Sequence, residues 1–530
     1  MPNAKVCMIN FAISALSLIL ISPDRIEAQK LDGLKTVAES SEFTATSTSK
    51  EVEEYVQTCV DAAEHVTRYD WGKTVDGKTM VSAVIANPKY EMGKKDDRAV
   101  VFLLGNIHSG ECAGKEGLLM LLRELAANPK HELLKNLVII IAPNYNADGN
   151  DKMEKTNRPG QKGPTKGMGV RPNNMGLDLN RDFIKLESPE ARNLIAYFNK
   201  VDPEVFIDCH TTNGSVHQYG LTYDIPHNPA SPAPIRKYLR GKMMPAVTQA
   251  VEKNHGYLSF YYGNFNRDRT RWTTYGYQPR YSTEYFGMRG GLGILSEAYS
   301  YASYKDRIMV SRGFVLECMN FVSANHKEIK NMVSVERALF AKLAKEKPSN
   351  VNLPLAARVS AFDEKYKIAG YDGKDKKDYE VEFWGKYTPT NARSLPYAYT
   401  FPAKLESIAK QLERHGAKVV QATADMDVTA EVYTIAEVNQ SRRAFQKHRM
   451  MSVSADVGVE KHLIRKGDFV VHTSQPLGRL VAYMLEPESA DGLVTWNFLD
   501  EQVEKGKKHV IVRIPKSFEL ATEPFKSNSK

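Results

Sequence analysis

The sequence predicts an α/β fold: a mixed, mostly parallel sheet flanked by helices, with a β-rich α+β domain after it. Three observations carry this expectation. Ala99–Leu104 and Leu137–Ala142 are unbroken apolar runs of strand length, as strands buried on both faces require. Helical patterns alternate with such runs, which argues for parallel strands joined by crossover helices. Past a polar stretch at 345–355, flanked by Pro348 and Pro354, the pattern changes to short alternating strands.

Taken in order, Lys5 precedes a nearly uncharged apolar run from Val6 to Ser22, and Ala28 offers a small residue for cleavage. This is the build of a Sec-type signal peptide over residues 1–28, so the mature chain is expected to be secreted or periplasmic. No later run approaches the length of a membrane span, so no stable span is expected after cleavage. Thr48-x-x-Glu51 has the form of a capping box, and Val52, Tyr55, Val56, Cys59, Ala63 and Val66 follow at helical spacing. A helix is expected near Ala113–Ala127, and another from Ser188-Pro-Glu190, where Pro189 takes the first helical position. Strands are expected at Val205–Cys209 and Leu292–Leu295. Between Asn144 and Leu177 lies a long loop rich in Gly, Pro and Asn, a length that in a compact domain points to function. The boundaries read as a catalytic domain over 48–345 and a β-rich accessory domain over 350–530. The latter holds strands at Val428–Val432, Asp468–His472 and Val510–Ile514, and a helix near Ala403–His415 closed by Gly416.

The net charge of +9 comes from 72 basic and 63 acidic residues spread along the chain, so no nucleic-acid footprint is expected. Four cysteines remain after the signal, none in C-x-x-C. They could form one or two bridges but make neither a disulfide scaffold nor a cysteine zinc site. The sequence has no G-x-S-x-G, no complete P-loop and no H-E-x-x-H.

The chemistry-bearing residues sit where strands end. His108-Ser-Gly-Glu111 follows the run Ala99–Leu104, and ligands in open α/β sheets bind at carboxyl ends of strands. With 13 histidines, an H-x-x-E arises about once by chance. A second candidate raises its weight: Asp208-Cys-His210 also ends a strand. Two His and one Glu give the three protein ligands of a catalytic zinc site, with one position left for water. Gly176-Leu-Asp-Leu-Asn-Arg-Asp182 and Asn146-Ala-Asp-Gly149 lie between them, and Leu295-Ser-Glu-Ala-Tyr299 comes on a later strand end.

With H-x-x-E, D-x-N-R, a distal His and a late strand-borne Glu in this order, the chain resembles the zinc metallocarboxypeptidase family, the carboxypeptidase A-like peptidases. The resemblance covers roughly residues 50–330, and the form is that of a bacterial-type secreted member with an accessory domain. It implies one Zn²⁺ per chain held by His108, Glu111 and His210, with Asp178 orienting His108 through its other ring nitrogen. Asn180 and Arg181 would hold the free C-terminal carboxylate of a peptide substrate. Glu297 would be the general base toward a zinc-activated water. Arg171 would stabilise the oxyanion, with Arg158 as competitor, and Tyr275 would close over substrate, with Tyr277, Tyr281 and Tyr285 as alternatives. Arg280 and Arg289 could read substrate charge, although surface positions are the expectation for both. The implied activity is hydrolysis of C-terminal peptide bonds. The alternative is a zinc amidase or deacylase acting on cell-wall peptides or acylated amino acids through the same scaffold.

Overall fold

The computed structural model describes residues 31, 33–212 and 214–525. The signal-peptide segment 1–28 lies outside the described residues. The central sheet has eight strands: β1 (Val66–Lys73), β2 (Thr79–Ile85), β3 (Ala99–Gly105), β4 (Leu137–Ala142), β5 (Val205–Thr212), β6 (Leu221–Asp224), β7 (Ser259–Tyr261) and β10 (Leu292–Tyr299). Their spatial order is β1-β2-β4-β3-β5-β10-β6-β7. β4, β3, β5 and β10 run parallel, while β1, β2 and β6 join antiparallel. The sheet is therefore mixed and mostly parallel at its centre.

The period of two in a strand explains the apolar runs. Val100, Phe102 and Leu104 of β3 enter one buried cluster, and Ala99, Val101 and Leu103 enter the other. β4 divides likewise, with Val138 and Ile140 on one face and Leu137, Ile139 and Ile141 on the opposite one. Helices α1 (Ser49–Ala62), α2 (Ala113–Ala126), α3 (Pro189–Val201), α4 (Met244–His255), α5 (Ser282–Met288), α6 (Tyr304–Ala324) and α7 (His326–Glu346) cover these faces. The capping box of α1 is present, with Thr48 and Glu51 bonding each other's backbone N–H. α1 stops at Ala62, because Ala63 adopts an extended conformation and Val66 opens β1 instead of continuing the helical stripe. β1 gave no strand signal in sequence, since it reads VTRYDWGK and is half exposed.

The C-terminal region adds β11 (Asn352–Ser360), β12 (Lys365–Asp372), β13 (Asp375–Trp384), β14 (Lys386–Ser394), β15 (Ala398–Phe401), β16 (Val420–Ala422), β17 (Met426–Gln440), β18 (Met451–Ile464), β19 (Phe469–His472), β20 (Val512–Ile514) and β21 (Thr522–Pro524). Two helices, α8 (Glu406–Arg414) and α9 (Gly478–Leu485), accompany them. This region shares core with the central sheet: Tyr399, Leu480 and Trp496 belong to the cluster that holds Phe102 and Phe206. It also shares a sheet. β13 pairs in parallel with the short β9 (Arg271–Thr273), which pairs with β8 (Asn264–Phe265), and this sets Phe383 opposite Trp272.

All four described cysteines, Cys59, Cys112, Cys209 and Cys318, are buried and free, so there is no disulfide among the described residues. No helix among them is long and apolar enough to cross a membrane.

Candidate metal centre and active site

β3, β5 and β10 are neighbours, and their carboxyl ends open into one cavity of about 350 Å³. His108 leaves the end of β3 through Asn106, whose φ of 66° is a left-handed conformation that Asn tolerates. The Asn106 side chain is anchored on Asn144 and Asn150 at 2.7 and 2.9 Å. Glu111 closes a turn on His108, its N–H donating to the His108 carbonyl at 2.8 Å. Gly110 permits the packing of the long loop there, because a Cβ would sit 2.8 Å from the Gly169 carbonyl. His210 stands on β5 in register with Glu297 of β10, so the two side chains emerge side by side on one face.

The geometry around His108, Glu111 and His210 is that of a cation site. The two ring Nδ1 atoms lie 3.2 Å apart, and Glu111 reaches them at 3.2 and 3.0 Å. Zinc bonds of about 2.0–2.1 Å in a tetrahedron place ligand atoms about 3.3 Å from one another. The outer nitrogens are gripped by carboxylates: His108 Nε2 by Asp178 at 2.9 Å and His210 Nε2 by Asp208 at 2.9 Å. An Nε2–H donated outward leaves each Nδ1 lone pair pointing at the other and at a carboxylate, an arrangement a cation relieves. Donor types and spacing fit zinc, and the outer carboxylates favour the tautomers that zinc requires.

The charges agree with this arrangement. Burial opposes ionisation of Glu111, yet His108 and Arg158 hold it well below the usual carboxylate range. Burial likewise opposes a charge on His210, and Asp208 and Glu111 override it upward. Asp178 stays far below its ordinary value, since His108, Arg181 and Arg171 outweigh its desolvation. Glu297 moves the other way. Burial pushes its carboxyl up to about 8; His210 and Arg171 oppose the shift, and Glu111 and Asp208 add to it. Its Oε2 is buried without a hydrogen-bond partner.

His108, Glu111, Arg171, Asn180, Arg181, His210, Tyr275 and Glu297 all line the cavity, and Asp178 stands directly behind His108. Arg158 lines it too, donating to Glu111 Oε1 at 2.7 Å, whereas Arg171 grips Asp178 at 2.8 Å and is the more exposed of the two. The Arg181 guanidinium lies over the Tyr281 ring at 4.4 Å and donates to the Asn180 carbonyl at 2.6 Å. Of the four candidate tyrosines, Tyr275 and Tyr281 reach the cavity. Tyr277 instead accepts from the Ala357 N–H, and Tyr285 meets His415. Arg280 and Arg289 do not line the cavity, and neither is a surface residue. Both are buried, Arg280 on Asp491 at 2.7 Å and Arg289 on the His415 carbonyl at 3.1 Å.

Sequence reasoning gave no role to Asp208, Thr212, Tyr262, Asn264 or Thr283, of which all but Asp208 line the cavity. Asp208 carried a usable signal, since two residues before His210 on a strand is the same face. Tyr262, Asn264 and Thr283 carried none, the first two lying at the short strand β8 and the third on the first turn of α5.

Residues 52–289 match the family described as zinc carboxypeptidase. That span includes all three metal-ligand candidates and Asp178–Arg181, and ends before Glu297. Carboxypeptidase 2 of Trichophyton tonsurans is 22% identical over 83% of this chain and 81% of its own. Carboxypeptidase Z of Homo sapiens is 33% identical over 24% of this chain and 20% of its own. Among solved structures, a metallo-carboxypeptidase from Burkholderia cenocepacia has a TM-score of 0.39 at 16% identity, covering 52% of this chain and 69% of that one. Carboxypeptidase A from Helicoverpa armigera has a TM-score of 0.40 at 15% identity, covering 57% and 80%.

Proposed function

We propose that this chain, whose residues 52–289 match the zinc carboxypeptidase family, is a zinc metallopeptidase that removes C-terminal residues from peptides with Glu297 as general base. One observation carries the proposal. The paired Nδ1 atoms of His108 and His210, the Glu111 carboxylate, the unpartnered Glu297 Oε2 and the Arg181 guanidinium share one cavity.

His108, Glu111 and His210 would hold one zinc ion per chain, which would supply Lewis acidity toward the scissile carbonyl and lower the pKa of a water. Asp178 and Asp208 fix the two imidazoles so that Nδ1 faces inward. Glu297 takes the proton from the attacking water and delivers it to the departing amine nitrogen. A dication held by these residues would oppose the upward push of burial on Glu297 and favour the carboxylate form that a base requires. Arg171, oriented by Asp178, faces the oxyanion that develops on the carbonyl. Asn180 and Arg181 bind the substrate's terminal carboxylate, Arg181 being braced over Tyr281. Tyr275 forms part of the wall, its hydroxyl held on Thr283 at 2.9 Å.

We assign catalysis to residues 48–345 and read 350–530 as an accessory region, with residues 1–28 directing export to the periplasm or exterior. The test is digestion of a mixed peptide pool followed by mass spectrometry, with and without a zinc chelator. Loss of single C-terminal residues, abolished by chelator and restored by Zn²⁺, is the expected result. Untouched peptides from a zinc-loaded protein would overturn it in favour of an amidase or deacylase.

A further inference from the structure

The hairpin between β17 and β18 belongs to the C-terminal region, yet its tip rests on the loop behind the metal ligands. Phe445 and His448 exchange backbone hydrogen bonds at 2.8 and 3.0 Å around the two-residue turn Gln446-Lys447. Both turn residues have positive φ, 51° and 68°. That is the primed turn in which Asn-Gly sits without strain and in which Gln and Lys are unfavourable choices. Strained backbone of this kind persists where surrounding contacts impose it, and such positions cluster at functional sites.

The contacts are specific. Gln446 Oε1 accepts the backbone N–H of Asp178 at 2.8 Å. His448 meets Glu187 at 2.7 Å, and Lys185 lies over the Trp496 ring at 4.8 Å, so three C-terminal side chains hold the segment from 178 to 187. Asp178 is the hub of that segment. Its carboxylate accepts from His108 Nε2 and the Asn180 N–H, each at 2.9 Å, and from Arg171 at 2.8–2.9 Å. Its position therefore sets one metal ligand and two groups assigned to substrate. Its own N–H has Gln446 as acceptor.

We propose that Gln446 is a positioning residue of the active site: the C-terminal hairpin fixes the Asp178 backbone and, through it, His108 and Arg171. This rests on the function proposed above, but its metal-affinity consequence does not depend on the substrate. Gln446→Met keeps length and turn cost while removing the acceptor, and Gln446→Glu keeps the acceptor. The double variant Q446N/K447G relieves the turn with a side chain too short to reach.

Zinc affinity by chelator competition, melting temperature, and kcat and KM on a C-terminal peptide test the proposal. Outer-shell changes cost about 10–100-fold, and Gln446 acts one step further out, so about tenfold weaker zinc binding and about tenfold lower kcat are expected in Q446M. Partial rescue is expected in Q446E. The double variant is expected to melt higher than the parent while losing zinc affinity and kcat, which a merely structural hairpin would not do. Zinc affinity and kcat within twofold of the parent in both Q446M and the double variant would overturn the proposal. So would a change confined to KM, which would place Gln446 on the substrate. If the parent hydrolyses no peptide, the zinc measurements alone still decide.

Discussion

Replacing Asp178 by Asn tests the tautomer argument on which the metal centre stands. The native carboxylate takes donors on both oxygens: His108 Nε2 and the Asn180 N–H at 2.9 Å on Oδ1, and Arg171 Nε and Nη2 at 2.9 and 2.8 Å on Oδ2. An amide of the same shape offers one oxygen. If that oxygen faces His108, the amide NH₂ meets the Arg171 guanidinium, donor against donor. If it faces Arg171, the NH₂ meets His108 Nε2 and favours the tautomer with a proton on Nδ1, the atom that would bind metal. Either orientation leaves a buried donor unpaired and removes a charge that Arg171 and Arg181 were balancing. A lost outer-shell partner weakens metal binding by about 10–100-fold, equivalent to about 1.4–2.7 kcal/mol. Competition with a fluorescent chelator at pH 7 reads this directly, with circular dichroism confirming the fold. Asp208→Leu, which removes the acceptor altogether, is expected to act alike through His210, since Asp208 Oδ2 holds that ring at 2.9 Å and takes the Ser282 hydroxyl as well. Zinc affinities within twofold of the parent in both variants, with the fold intact, would refute the reasoning.

Other consequences are equally direct. Glu297→Gln is expected to keep its zinc and lower kcat by about 10²–10⁴-fold, measured on the peptide that the parent cleaves best. Arg181→Met is expected to reduce kcat/KM about 10–100-fold for peptides with a free carboxylate, and to leave the rates on their C-terminal amides unchanged, because one charge-assisted bond is worth about 1.5–3 kcal/mol. His415 ties the C-terminal region to the catalytic loop, with Nδ1 at 2.7 Å from the Tyr285 hydroxyl and Nε2 at 3.1 Å from the Ile184 carbonyl, and burial pushes its pKa down to about 3. Between that value and about 6.5 the unfolded chain binds a proton that the folded one does not. Stability therefore falls as pH drops through this window, by up to about 1.4 kcal/mol per pH unit from this residue. Denaturant titrations from pH 7 to pH 4 should show a shallower loss in His415→Gln; an identical slope would remove His415 as the cause.

What the sequence determined by itself is what local pattern encodes. β3 and β4 were legible because both their faces are buried and every position is apolar, and α1 and α3 because their caps are written in adjacent residues. The metal ligands were legible because H-x-x-E and D-x-H each fall at a strand end, where a parallel sheet opens its binding face. β1 escaped because it is half exposed and carries no alternation, and the helical stripe through Val66 was cut by an extended Ala63. Tertiary structure alone decided the rest. It selected Tyr275 and Tyr281 from four candidate tyrosines to line the cavity, and it turned Arg280 and Arg289 inward as ties to the C-terminal region. It also brought Gln446 onto Asp178 across 268 residues of chain. The spacing of a motif records which side chains leave the same strand or turn. Nothing in a linear pattern records which distant hairpin will supply the one acceptor that a buried N–H requires.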